Sequence, residues 1–121
     1  MSTTMIHDGY AGRGSRTYQI YETDGIRWTA FVNGDHAVAS IYPGDLRDHF
    51  ETGAGSLPDK LIEFDFDEWE SEPCFDCDYQ GDLLVAHTDD CYWKANPNAD
   101  TPETAMAKAE QVVIEFARGK H

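Results

Sequence analysis

Apolar and polar side chains alternate with a period of two along IRWTAFVN, residues 26–33: Ile26, Trp28, Ala30 and Val32 fall on one face, Arg27, Thr29 and Phe31 on the other. TYQIYE before it and HAVASIY after it are likewise short and rich in β-branched and aromatic residues. The breaks between the three are TDG and NGD, and Asp-Gly and Asn-Gly are strong hairpin signals because glycine supplies a positive φ. Together they predict a three-stranded antiparallel meander beginning near Arg16.

A second pattern has the helical period. Ala105, Met106, Ala109, Val112, Val113 and Phe116 form one apolar stripe, with Lys108, Glu110, Gln111, Glu115 and Arg118 mainly off it. Thr101 suits the N-cap, Pro102 the first turn and Glu103 the positive end of the dipole, while Gly119 can end the helix. Between these regions, GDLRDHFETG is at most a short helix, and GAGSLPD is a break. A second β region then opens with LIEFDFDEWESE, residues 61–72, and continues through DLLVAH and CYWKA, joined by Thr88, Asp89 and Asp90.

The Gly- and Ser-containing residues 1–15 are expected to be a flexible N-terminal arm, and residues 16–121 one domain. The class is α+β: an antiparallel sheet, built from the N-terminal meander and the second, acidic β region, packed against a C-terminal helix. A chain of 121 residues with 40% hydrophobic and 12% aromatic content can bury a proper core, so it is not a disordered polymer. Its start lacks the charged head and apolar run of a secretory signal, and no segment approaches the ~20 apolar residues of a membrane span. A cytoplasmic location is expected.

Charge changes the picture. The net charge is −14, and residues 45–103 carry all of it, with 17 Asp or Glu against Arg47, Lys60 and Lys94. The rest of the chain holds six acids and six bases. From Glu63 to Asp82 there are nine acids and no lysine or arginine. If LIEFDFD is a strand, Ile62, Phe64 and Phe66 face the core, while Glu63, Asp65 and Asp67 form an exposed row at ~6.6–6.8 Å spacing. Those separations lie within the ~8 Å Debye length at physiological salt, so the row repels itself unless something cationic offsets it.

Such a surface excludes direct binding to DNA, RNA or an anionic membrane and fits a basic partner. Glu63, Asp65, Asp67, Glu68, Glu70, Glu72, Asp76 and Asp78 are the candidate partner-binding residues. The function expected from them is occupation of a basic, nucleic-acid-binding protein surface, as an acidic inhibitor of the kind that phages and mobile elements direct against CRISPR or restriction systems. Solubility alone is the bland alternative, and a halophilic origin a third, although halophily does not explain why the excess is confined to one segment.

Three cysteines cannot all pair within the chain. Cys74, Cys77, His87 and Cys91 read C-x2-C followed by H-x3-C, and thiolates with an imidazole are typical tetrahedral zinc ligands. One structural zinc is therefore the candidate cofactor, and a zinc-stabilised interaction adaptor the alternative function. Reduced structural thiols are the plainer reading. Asp76, Asp78, Asp89 and Asp90 flank the set, and such neighbours oppose a redox-active thiolate but favour a bound dication.

Catalysis has little support. Glu63, Asp65 and Asp67 could ligate Mg²⁺ as in a metal-dependent nuclease, but a straight strand spreads them along a line and no nearby cation meets a phosphate. The serines occupy no nucleophile elbow, and GYAGRGS lacks the Lys-Ser/Thr ending of a P-loop.

Overall fold

The computed structural model describes residues 3–11, 16–33, 38–53, 55–65, 77–90 and 105–119. Five consecutive strands, β1 (Thr3–Tyr10), β2 (Arg16–Thr23), β3 (Ile26–Asn33), β4 (Val38–Pro43) and β5 (Ile62–Asp65), form one antiparallel sheet in the order β1-β2-β3-β4-β5. A helix, α1 (Arg47–Thr52), lies between β4 and β5 in the chain. A separate two-stranded hairpin, β6 (Asp78–Gln80) and β7 (Leu83–Ala86), and the helix α2 (Ala105–Ala117) are the other elements among the described residues, and the class is α+β.

The meander forms because its turn chemistry and its alternation agree. Asp24 and Gly25 both have positive φ, 51° and 82°, as the two central residues of the turn that pairs Thr23 with Ile26. The following connection, which contains the rest of the NGD signal, lies in residues 34–37, outside the described residues. Trp28 and Ala30 are fully buried on one face of β3, joined by Tyr21, Ala39, Ile41 and Phe64 from neighbouring strands. Helix α2 and hairpin β6–β7 cover that face, contributing Ala105, Met106, Ala109, Val113, Leu83 and Leu84. The helical stripe packs much as its spacing predicts, but Phe116, one turn beyond Val113, remains 46% exposed. Residues 101–104, with the expected cap, lie outside the described residues.

The opposite face is covered too, by α1. Phe50 stacks on Phe31 at 4.9 Å between ring centroids and on Tyr18 at 5.6 Å. Thr29 fixes the approach to α1: its hydroxyl donates to the Gly44 carbonyl at 2.7 Å and accepts from the Leu46 N–H at 3.0 Å. A buried polar chain ties the helical face together. Trp28 Nε1 donates to Thr23 Oγ1 at 2.9 Å, the Thr23 and Thr3 hydroxyls are 2.6 Å apart, and Thr3 donates to Glu110 of α2. The indole N–H of Trp28 and the hydroxyls of Thr23 and Thr3 thereby keep partners.

One expectation is corrected. Residues 3–10 are not a flexible arm: β1 pairs with β2 from Thr3↔Thr23 to Tyr10↔Thr17. The strand was hidden because its sequence, TTMIHDGY, has little apolar alternation, and a bulge between Met5 and His7 transfers its inward side chains between faces. Met5 packs on the helical-face core, whereas His7 lies against Tyr18 on the α1 side. DLLVAH contains strand β7, which pairs with β6 through Gly81 and Asp82; CYWKA, the strand expected to follow it, lies outside the described residues.

Candidate functional site

The acidic stretch begins as anticipated. On β5, Phe64 is 5% exposed and packs in the core with Ile62 against it, while Glu63 points outward. Among the described residues β5 ends the sheet order, so Glu63 and Asp65 stand on its edge strand, a position where charge discourages pairing with another sheet. Glu63 is not a bare charge: Lys60, three residues before it, forms an ion pair with it, and Ser40 on β4 donates to it at 3.4 Å. The bond to Glu63 raises the Lys60 pKa. Asp67, Glu68, Glu70, Glu72 and Asp76 lie outside the described residues, and Asp78 is exposed at the start of β6.

Ion pairs elsewhere engage other acids. Arg27 meets Glu22 at 3.6 Å and Asp45 at 3.3 Å, Arg47 also meets Asp45, and His7 approaches Glu51 at 3.6 Å. Among the described residues, no ion pair reaches Asp78 or Asp82. The described part of the acidic segment therefore keeps carboxylates, Asp78 and Asp82, that no described cation of the chain pairs with.

Asp82 has another use, which the sequence did not disclose. The Gln80–Leu83 turn is pressed onto the sheet: Tyr21 Oη donates to the Gln80 carbonyl at 2.6 Å, and Asp82 Oδ2 accepts from Thr17 Oγ1 and from Gln19 Nε2, both at 2.7 Å. Gln19 Nε2 also donates to Asp8 Oδ1 at 3.1 Å. Two carboxylates thus converge on one buried amide whose two N–H groups serve both, which fixes its orientation and leaves Gln19 Oε1 buried without a protein hydrogen bond. Burial, with the charges of Asp82 and then Asp8, pushes the Tyr21 pKa well above the ordinary tyrosine value. Asp8 was out of view because it sits in the stretch expected to be an arm.

The hairpin also brings together half of the cysteine and histidine set. With Asp78 opposite Ala86, Cys77 and His87 extend from the open end of β6–β7, and Cys77 Sγ lies 3.6 Å from His87 Nδ1. The Thr88 N–H donates to the same sulfur at 3.4 Å. Cys77 is 9% exposed and His87 half-buried. Cys74 and Cys91 lie outside the described residues, and among the described residues no group of three His, Cys, Asp or Glu converges as a metal cluster.

No protein-family model, curated protein or solved structure matches the chain. Among the described residues, no helix is long and apolar enough to cross a membrane.

Proposed function

We propose that this protein binds a basic protein surface through its acidic segment and occupies a site that would otherwise hold nucleic acid. The observation that carries the reading is the placement of the charge. The cation-free run of nine acids, Glu63 to Asp82, starts on β5, the last strand in the described sheet order, where Phe64 anchors the core side and Glu63 is presented outward. A surface of this kind steers a basic partner and competes with phosphates for the same cations. The fitting partner is a nucleic-acid-handling protein in the cytoplasm, and the role that of an inhibitor, in the manner of phage-encoded antagonists of CRISPR or restriction complexes. No catalytic step is required of the chain.

The test is affinity capture from the source cells at low and high salt, followed by affinity measurements on the recovered partner. Glu63→Gln, Asp65→Asn and Asp67→Asn together should weaken binding at least tenfold, about 1.4 kcal/mol. The control is Glu22→Gln, Asp24→Asn and Glu115→Gln, which removes three charges outside the segment. Glu110 is unsuitable as a control because it accepts the Thr3 hydrogen bond. Equal loss in both variants would reduce the effect to net charge. A ternary complex in which the partner holds protein and nucleic acid at once would exclude competition.

A further inference from the structure

A cleft of about 270 Å³ opens where α2, the β6–β7 hairpin and β1 meet, and the acidic docking surface makes no use of it. Its lining is Thr3, Gln80, Val85, Met106, Ala107 and Glu110, all of them among the described residues. We propose that this cleft binds a primary alkylammonium ion, with the Glu110 carboxylate taking the –NH₃⁺ head and Met106, Ala107 and Val85 flanking the alkyl chain.

Hydrogen bonding prepares Glu110 as an acceptor. Trp28 Nε1 donates to Thr23 Oγ1, and Thr3 Oγ1 spends its only proton on Glu110 Oε2, so Thr23 supplies the proton between the two threonine hydroxyls. The relay runs one way and ends on the carboxylate, which leaves Thr3 no proton for a ligand. Glu110 Oε1 has no hydrogen bond or ion pair among the described residues. Gln80 Nε2 donates to the Thr3 carbonyl at 3.4 Å, so Gln80 Oε1 is a second acceptor left unused among those residues. An ammonium head brings three donors and no acceptor, which matches this lining, whereas an anion would meet Glu110 at like charge. The net charge of −14 adds a general attraction for cations. The apolar wall selects for a chain: Met106 is buried, Val85 is 40% exposed, and the flexible thioether adapts to an alkyl group. A volume just below the ~300 Å³ at which pockets for drug-sized ligands begin suits a head group on a short chain.

The test is an NMR titration of the wild type with n-butylammonium, read at the methyl groups of Met106, Ala107 and Val85. Saturable shifts confined to the cleft are expected. Two neutral or donor-free probes, n-butanol and tetramethylammonium, should each bind about tenfold more weakly or worse, since they lack the charge or the N–H donors. Glu110→Gln, which can still accept from Thr3, should weaken n-butylammonium binding by about tenfold or more, while Glu115→Gln, on the same helix but outside the lining, should leave it unchanged. Should Glu110→Gln fold poorly, the ranking of the three probes on the wild type still decides. Nα-Acetyl-lysine amide, which carries the ammonium on the same four-carbon stem, separates the sources. If it binds more tightly than n-butylammonium, the site takes a lysine side chain of a protein partner; if more weakly, a free aliphatic amine. No saturable shift, equal binding of n-butanol, or equal loss in the Glu110 and Glu115 variants overturns the proposal. Amine binding by a protein that takes no basic partner supports this site and removes only the docking function.

Discussion

Tyr21 shows how one side chain joins the sheet to the hairpin. Its ring stacks on Trp28 at 4.5 Å between centroids, and its hydroxyl donates to the Gln80 carbonyl. Burial and the Asp82 and Asp8 charges raise its pKa, so the folded protein keeps the proton at a pH where the unfolded chain has lost it. The folded pKa being the higher one, this contribution is complete below the unfolded value of about 10 and declines as pH rises above it. Tyr18 acts in the same direction, its pKa raised by burial and then by Glu51. Denaturant melts at pH 8 and pH 10.5 should show a loss of stability in the wild type and a smaller loss in Tyr21→Phe. At pH 8 that variant should be less stable by about 1 kcal/mol, the usual net value of one hydrogen bond. An identical alkaline loss in both proteins would mean that Tyr21 does not carry the effect. Tyr21 was legible in the sequence as a strand aromatic. Its partner was not, because nothing local in TYQIYE points to a carbonyl 59 residues away.

At the scale of elements, the most exacting fit is the β6–β7 turn. Gly81 has φ of 64°, and a Cβ there would collide with the Tyr21 hydroxyl while lying 3.0 Å from Gln19 Cγ and 3.2 Å from Met5 Sδ. Gly81→Ala therefore combines backbone strain with a clash against packed side chains, and should destabilise the fold by about 2 kcal/mol. Gly25→Ala makes a useful comparison, since its φ is 82° but open space surrounds it. Chemical denaturation of both variants should show the larger loss at Gly81, and equal losses would argue that the hairpin is not held this tightly. The meander and α2 were readable because alternation, Asp-Gly turn chemistry and helical spacing are local signals. Strand β6 was not, since three residues give too little pattern, and β1 was not, since its order comes from pairing with β2.

For the whole molecule, the charge distribution sets how stability responds to salt. Carboxylate repulsion is concentrated in residues 45–103, but Glu63 and Asp45 already have cationic partners and Asp82 is held by hydrogen bonds. The fold should consequently be cooperative in dilute buffer, with only a modest rise in melting temperature as KCl is raised to molar levels. A protein that folds only in molar KCl would support halophilic adaptation and remove the reason for seeking a partner. Sequence by itself determined the meander, the amphipathic C-terminal helix, the α+β class and the confinement of charge to one segment, because alternation, turn residues and composition act over a few positions. Tertiary structure decided which strands bound the sheet, that Asp8 and Asp82 converge on Gln19, and that Cys77 meets His87. Those depend on chain segments brought together across 10 to 74 residues by burial of a common core, and no periodicity within either segment records the distance to the other.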